Sequence, residues 1–230
     1  LAPGKKWGFF PGVSGSWLVS NENFLKDNNS ISELKLRGGW GKTGNASGIP
    51  FYASYNLDRL NRDGGVWETA QWGTDIGWEV TTDTNFGVDL AFLNNKIKFS
   101  ADFYNRVTDD LLMPIKMGTL GNLLRNVGSM ENKGMEFTLN TANIKNENFT
   151  WNTNFNISFN KNKVNELKYM PVINKVFIEG MDNLVRFTAG QPLGSFYGYQ
   201  MQGVDPQTGD IVYNDLNGNG NFDTGDRTFI

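Results

Sequence analysis

The chain has 230 residues, a net charge of −3 at pH 7, and neither histidine nor cysteine. The charge gives no basic field for nucleic acid, and the missing residue types exclude disulfides, histidine general bases, cysteine nucleophiles and the usual zinc sites. Aromatic residues make up 13% of the chain and glycine is plentiful, so we expect an all-β protein. No apolar run reaches the ~20 residues that a membrane helix requires.

Alternation with a period of two predicts the first two strands, near residues 12–20 and 33–41. Successive side chains of a strand point to opposite faces, so the apolar residues of such a segment share one side. The first segment, GVSGSWLVS, shows the weaker alternation and has Val13, Trp17 and Val19 on one face. The second segment, LKLRGGW, opposes Lys35 and Arg37 to Leu34, Leu36 and Trp40.

Four further strands, near residues 81–93, 96–107, 133–143 and 149–160, alternate more strictly. Their apolar faces carry Phe86, Val88, Leu90 and Phe92; Ile97, Phe99, Ala101 and Phe103; Met135, Phe137 and Leu139; and Phe149, Trp151, Phe155, Ile157 and Phe159. Their opposite faces are polar, with Lys98, Ser100, Asp102 and Tyr104 on the second of these strands and mostly asparagine on the last. One face of each strand is therefore expected in an apolar medium and the other in water.

The connections between the predicted strands alternate between short and long. Asn94-Asn95 and the segment KNEN are hairpin-sized turns, and asparagine tolerates the positive φ that such turns require. Residues 42–80, 108–132 and 161–230 form long loops with room for further strands. An up-and-down order then places short turns at one end and long loops at the other, as in an outer-membrane β-barrel with long extracellular loops.

Aromatic residues near strand ends could form the interfacial girdle of such a barrel, and the candidates are Trp40, Trp78, Tyr104 and Trp151. The same alternation also describes a soluble β-sandwich, whose core face is equally apolar. The short-and-long pattern and the asparagine-rich faces favour the barrel.

The segment QWGTDIGWEVTTDTN offers a substrate-binding candidate. Trp72 and Trp78 lie near Asp75, and aromatic faces beside hydrogen-bond acceptors suit sugar stacking. The competing interpretation, a girdle or loop-packing role for the tryptophans, is favoured by their position. The nearby segment 111–115 is apolar, so it either forms a partner surface or packs over the rim of the barrel.

The segment DLNGNGNFDTGD, residues 215–226, carries oxygen ligands at the spacing of a calcium loop. The ligand set is Asp215, Asn217, Asn219, Asn221 through its carbonyl, Asp223 and Asp226. Its flanks, GDIVYN and RTFI, read as strands, so no helix pair is available for a calcium sensor. We expect a structural Ca²⁺ clip with a Kd of about 10⁻⁴–10⁻³ M, and the alternative is a solvated Asn/Gly turn.

Four ordered stretches resemble the SusC/RagA family of TonB-dependent outer-membrane transporters. They are WGFFPGVSGSWLVSNENFLKD, ELKLRGGWGKTGN, NVGSMENKGMEFTLN and GQPLGSFYGYQMQGVDPQTGDIVYNDLNGNGNFDTGDR. The resemblance implies an antiparallel transmembrane segment, residues 1–230, of a barrel of about 22 strands. It also implies a Gram-negative, Bacteroidota-like outer membrane, with lipid around the barrel.

The resemblance further implies TonB-energised uptake of glycans or peptides with a SusD-like surface lipoprotein as a lid. The TonB-contacting segment, the plug and the remainder of the barrel are expected outside these residues. No nucleotide loop, hydrolase elbow or zinc signature is present, so no enzyme is expected. The alternative function is a soluble, calcium-stabilised β-module that binds carbohydrate.

Overall fold

The computed structural model describes residues 1–2, 4–26, 28–47, 49, 57–60, 66–70, 75–116, 122–168, 172–175 and 184–230. These residues form two compact units, residues 1–162 and 163–230. In the described ranges, no helix has the length and hydrophobicity needed to cross a membrane.

The first unit is built on an antiparallel sheet of six strands. They are β1 (Gly12–Leu18), β2 (Ile31–Asn45), β5 (Glu79–Phe92), β6 (Ile97–Asp109), β9 (Gly128–Lys145) and β10 (Thr150–Leu167), in that spatial order. Each overlaps one predicted strand, and β2, β9 and β10 run clearly beyond the predicted ends. The alternation ends where the apolar band ends, but backbone ladder pairing needs no apolar side chain and continues past it.

The strands of this sheet follow the chain order, and each short turn is shaped by asparagine. Leu93, Asn94 and Asn95 adopt φ values of 52°, 58° and 64° in the turn between β5 and β6. In the turn between β9 and β10, the Asn146 side chain accepts hydrogen bonds from the backbone N–H groups of Asn148 and Phe149. The predicted left-handed asparagine turn at Asn94-Asn95 is therefore confirmed.

The long connections at the other end of this sheet contain short hairpins. They are formed by β3 (Leu57–Leu60) with β4 (Val66–Ala70), and by β7 (Leu112–Lys116) with β8 (Asn122–Asn126). Ile115 on β7 is only 6% exposed, and Leu111, Leu112 and Met113 are half-buried. Of the two alternatives for segment 111–115, the structure favours packing over an exposed partner surface, because the hairpin turns Ile115 inward.

The second unit contains two smaller sheets. The strands β11 (Val172–Lys175), β12 (Val185–Thr188), β13 (Ser195–Tyr199) and β16 (Arg227–Phe229) are neighbours in that order, and β14 (Met201–Val204) pairs with β15 (Ile211–Tyr213). Val164 is buried and exchanges backbone hydrogen bonds with Gly190 and Gln191. The segment between β15 and β16 is the Asp/Asn-rich loop.

Candidate functional site

One face of the six-stranded sheet carries apolar side chains that are in register across neighbouring strands. Phe86 lies opposite Phe103, which lies opposite Met135. A second row, nearer the short turns, consists of Leu90, Phe99 and Leu139. Alternation and cross-strand pairing therefore place a continuous apolar band on one side of the sheet. We call this side the apolar face.

The apolar face is uncovered. The side chains of Phe86 and Phe155 are 48% and 54% exposed, and Phe103, Met135 and Phe159 are exposed as well. Among the described residues of the first unit, no other strand is paired or packed over this face. A soluble sandwich seals such a face as its core, so the exposed band contradicts the sealed core of the soluble-module alternative.

The opposite side, the polar face, carries a network of ion pairs centred on Arg37. Its guanidinium donates to Asp89 from Nε at 2.7 Å and from Nη2 at 2.9 Å. It also contacts Asp102 through Nη1 at 2.9 Å. Ser100 donates to the same Asp89 carboxylate at 2.8 Å. Three strands, β2, β5 and β6, are thus joined on the polar face by charged side chains as well as by their backbones.

A glycine makes room for this network. Gly87 on β5 lies opposite both Arg37 and Asp102 in the ladder. A Cβ atom at position 87 would lie 2.6 Å from Asp102 Oδ1 and 2.7 Å from Arg37 Cζ. Any larger residue at position 87 would therefore occupy the space through which the Arg37 side chain reaches Asp102 on β6.

Tyr104 belongs to the polar face, so its predicted place in the aromatic girdle is wrong. It lies opposite Asn85 on β5 and opposite Gly134 on β9. A Cβ atom at Gly134 would lie 2.7 Å from the Tyr104 hydroxyl oxygen, so the phenol occupies the space that the glycine leaves. Alternation along β6 decides this, because Tyr104 directly follows Phe103 and therefore faces the opposite side of the sheet.

The predicted sugar-stacking residues lie just before β5, and Trp72 is outside the described residues. Asp75 is exposed and forms an ion pair of 2.5 Å with Lys5. The hydrogen bond from the Lys5 ammonium, together with its charge, holds the pKa of the Asp75 carboxyl below its usual value. Between Asp75 and Trp78, Ile76 is 2% exposed and anchors the segment.

Trp78 is half-buried and packs edge-on against Phe10, with ring centroids 5.3 Å apart. The Phe10 ring fills the space beside Gly44, which pairs with Val80 at the loop end of the sheet. Because Gly44 alternates in step with Trp40, Phe10 and Trp78 lie at the loop-end border of the apolar face. A substrate contact by Trp72, Asp75 or Trp78 remains a prediction.

The Asp/Asn loop, residues 215–226, is held in shape by hydrogen bonds between its own side chains and its own backbone. Asp215 accepts hydrogen bonds from the backbone N–H groups of Gly218 and Asn219 through Oδ1, and from that of Gly220 through Oδ2. Gly218 and Gly220 have φ values of 71° and 76°, a conformation that glycine adopts without strain. The first residue of the predicted ligand set therefore organises the turn.

The other predicted ligands of this loop also contact one another. The Asp223 carboxylate accepts from the side-chain amides of Asn217 at 3.1 Å and Asn219 at 2.7 Å. The Asn219 oxygen accepts from the backbone N–H of Asn221. Five members of the set are thus brought together, although among the described residues no group of three acidic, histidine or cysteine residues is placed to hold a metal.

Asp226 is the sixth predicted ligand and is completely buried, with 0% exposure. Its Oδ1 accepts from the backbone N–H groups of Leu216 and Asn217, and its Oδ2 accepts from that of Asp223 at 2.9 Å. In turn, Asp223 caps the 3₁₀ turn Thr224–Asp226. Asp226 therefore accepts hydrogen bonds from three backbone donors of the loop, which satisfy its own buried carboxylate.

An aromatic cluster holds this loop against the hairpin of β14 and β15, and the ligand spacing did not predict it. The Phe222 ring stacks on Tyr213 with centroids 4.6 Å apart, and it also contacts Tyr199 at 4.4 Å. The sequence signal was the single aromatic residue within an otherwise polar loop. The cluster couples the position of the loop to β13, which carries Tyr199, and to β15, which carries Tyr213.

A family model described as TonB dependent receptor-like, beta-barrel, matches residues 2–229 of the chain. The chain is 35% identical to the TonB-dependent receptor SusC of Bacteroides thetaiotaomicron over 96% of its length, and 35% identical to a TonB-dependent receptor of Formosa agariphila over 98%. It spans about a quarter of the length of these curated relatives, 24% and 25% respectively.

Solved structures give the same result for the fold. The chain superposes on the structure of the RagAB peptide transporter with a TM-score of 0.79 and 25% identity, covering 96% of this chain and 25% of that one. A second structure, of the RagAB peptide importer in the closed-closed state, gives a TM-score of 0.81 at 24% identity, covering 100% of this chain and 26% of that one. The family model and these relatives show that the chain belongs to the TonB-dependent receptor-like β-barrel family, and its resemblance to SusC and RagA proteins is confirmed.

Proposed function

We propose that these residues form part of the wall of an outer-membrane nutrient importer. The apolar face contacts lipid and the polar face lines the lumen. The observation that carries this proposal is the exposed apolar band, in register over four neighbouring strands, on a sheet whose other face is tied by ion pairs. A hydrocarbon solvent makes such an exposed band favourable, and a sheet in lipid must close into a barrel with further strands.

Neighbouring residues of β10 provide a matched test in the full-length protein. Phe155 is on the apolar face, whereas Asn156 hydrogen-bonds to Thr138 on the polar face. Phe155→Arg should cost about 2–4 kcal/mol near the bilayer midplane and reduce the amount of assembled barrel. Asn156→Arg should assemble normally, as followed by heat-modifiable mobility on gels. Equal loss in both variants would refute the assignment of the two faces.

We infer that uptake is energised by TonB and assisted by a SusD-like surface lipoprotein. The support is the similarity to SusC and to the RagAB complexes, together with the long loops at one end of the sheet. The TonB-contacting and plug regions would be supplied outside residues 1–230. Affinity purification of the full-length protein from outer membranes should recover a lipoprotein in stoichiometric amount, and its absence would contradict this partnership.

We propose oligosaccharides or peptides as the transported class. Both are supported only by similarity, since one relative is SusC and the solved neighbours are named as a peptide transporter and importer. Trp72, Asp75 and Trp78 are the proposed contacts for a sugar. Growth of a deletion strain on oligosaccharides or on peptides as the sole nutrient should fail for one class, and normal growth on both would argue against import by this protein.

We further propose that the Asp/Asn loop binds Ca²⁺ as a structural ion. The donors are carboxylate, amide and carbonyl oxygens, which suit this hard cation. Asp215, Asn217, Asn219, Asp223 and the carbonyl of Asn221 would hold the ion, with Asp226 closing the loop behind them. Bound calcium would draw together oxygens that otherwise accept hydrogen bonds within the loop, and so make the loop more rigid.

Limited proteolysis of the full-length protein tests calcium binding. Calcium should protect the loop more than a chelator does, and Asp215→Asn should remove the difference. Asp210→Asn is the matched control, because Asp210 is an exposed aspartate outside the loop. Identical cleavage of the wild type with and without calcium would exclude this role.

A further inference from the structure

The apolar face has a groove at the border where its hydrophobic band ends, on the side of the long loops. The groove has a volume of about 540 Å³ and lies across β5, β6, β9 and β10. Phe86, Phe103, Met135 and Phe159 line its apolar part. Lys133 and Lys161 line the part nearer the loops. Hydrophobic walls therefore meet two cations at one level of the sheet.

The two lysines face the same side as the apolar residues. Lys133 precedes Met135 by two positions on β9, and Lys161 follows Phe159 by two positions on β10, so alternation puts all four on one face. The side chains of Thr138 and Asn156 hydrogen-bond to each other across β9 and β10, and so do those of Asn140 and Asn154. Following this antiparallel register one residue at a time toward the loops places Lys133 opposite Lys161, five positions beyond the pair of Thr138 and Asn156.

The charge at this border is positive and accessible. Both lysines are exposed. Glu131 approaches Lys133 to 3.4 Å from the loop side, and the Glu131 side chain is itself only 21% exposed. Among the described residues, Lys161 forms no ion pair. One carboxylate thus faces two ammonium groups, which leaves a net positive charge beside hydrophobic walls.

We propose that this groove binds a phosphorylated glycolipid of the outer leaflet, an inference that rests on the proposed barrel function. The long-loop end of such a barrel is extracellular, so Lys133 and Lys161 lie at the level of outer-leaflet headgroups. A lipid phosphate can bridge the two ammonium groups while an acyl chain follows the groove past Phe103 and Met135. The pairing of charge with hydrophobic surface favours an anionic lipid over a soluble anion.

The binding test uses the full-length protein in detergent, with purified lipid A as the probe and phosphatidylglycerol as the competing lipid. A lysine beside an anionic lipid contributes about 1 kcal/mol, so each Lys→Gln change should weaken lipid A binding about fivefold. The double variant Lys133→Gln/Lys161→Gln should therefore lose about 30-fold in affinity. Lys161→Arg should retain binding, because it keeps the charge.

Lys98→Gln is the matched control, since Lys98 lies on the polar face, opposite Ala91 and Asn140. Unchanged lipid A binding in a folded double variant would overturn the proposal, as would equal binding of phosphatidylglycerol with the same dependence on the lysines. If the double variant does not assemble, lipid A binding by the single variant Lys161→Gln is measured instead, and unchanged binding there would overturn the proposal. Failure of the wild type to show a heat-modifiable barrel would instead refute the proposed function, independently of the lipid site.

Discussion

Arg37 and Asp102 contact each other at 2.9 Å although their strands, β2 and β6, are not neighbours. The strand between them carries Gly87 at the point of crossing, opposite both residues. On the polar face, β2 therefore supplies the cation, β6 supplies the carboxylate, and the glycine of β5 leaves the space between them. Such a contact joins strands that do not pair with each other and so adds side-chain bonds to the backbone ladder on the polar face.

Filling the gap at position 87 should destabilise the barrel. Gly87→Ala would place a methyl group within 3 Å of Arg37 and Asp102 side-chain atoms, at a cost of about 1–3 kcal/mol. Urea unfolding of the full-length protein, followed by heat-modifiable mobility, should show the loss. Gly15→Ala is the control, because open space surrounds that position, and Asp102→Ala should rescue part of the loss because it removes an obstructing side chain.

Removing the cation should leave Asp89 and Asp102 without compensation. Because Arg37 is 35% exposed, we expect Arg37→Gln to cost about 1–2 kcal/mol, below the value for a buried pair. Asp89→Asn in the same background should recover part of that cost. A double-mutant cycle in urea measures the coupling, and strictly additive effects would contradict direct interaction between these side chains.

The glycine at position 134 is restricted by backbone as well as by a side chain. A Cβ atom there would lie 2.5 Å from the carbonyl oxygen of Phe159, besides its approach to Tyr104. Gly134→Ala should therefore reduce barrel assembly, and Tyr104→Ala should fail to rescue it, in contrast to the rescue expected at Gly87. Recovery of the heat-modifiable band in the double variant would show that only the phenol obstructs the site.

The Asp/Asn loop should depend on Asp226 whether or not calcium is present. Asp226→Ala would leave the backbone N–H groups of Leu216, Asn217 and Asp223 without their acceptor, at a cost of about 1–3 kcal/mol. We expect faster cleavage of the loop in limited proteolysis, with and without a chelator, and a milder effect for Asp226→Asn. Wild-type cleavage of Asp226→Ala would show that these hydrogen bonds contribute little to the loop.

The alternation of apolar and polar residues determined more of this fold than any single motif. It predicted all six strands of the large sheet and which residues of each strand share a face, because alternation reflects the local geometry of an extended chain. Asn94-Asn95 was equally informative, since the positive φ of that turn is a property of the residues themselves. The resemblance of four ordered segments then predicted the family.

The pairing between distant strands was decided only by the tertiary structure. The register placed Tyr104 beside Gly134 and aligned Arg37 with Gly87 and Asp102, and the hairpin of β7 and β8 turned Ile115 inward. It also brought Phe222 onto Tyr199 and Tyr213. The sequence by itself determined which residues of a strand point together, because that depends on the strand alone. Which residues meet depends on the relative shift of two strands, which long-range packing and hydrogen bonding set.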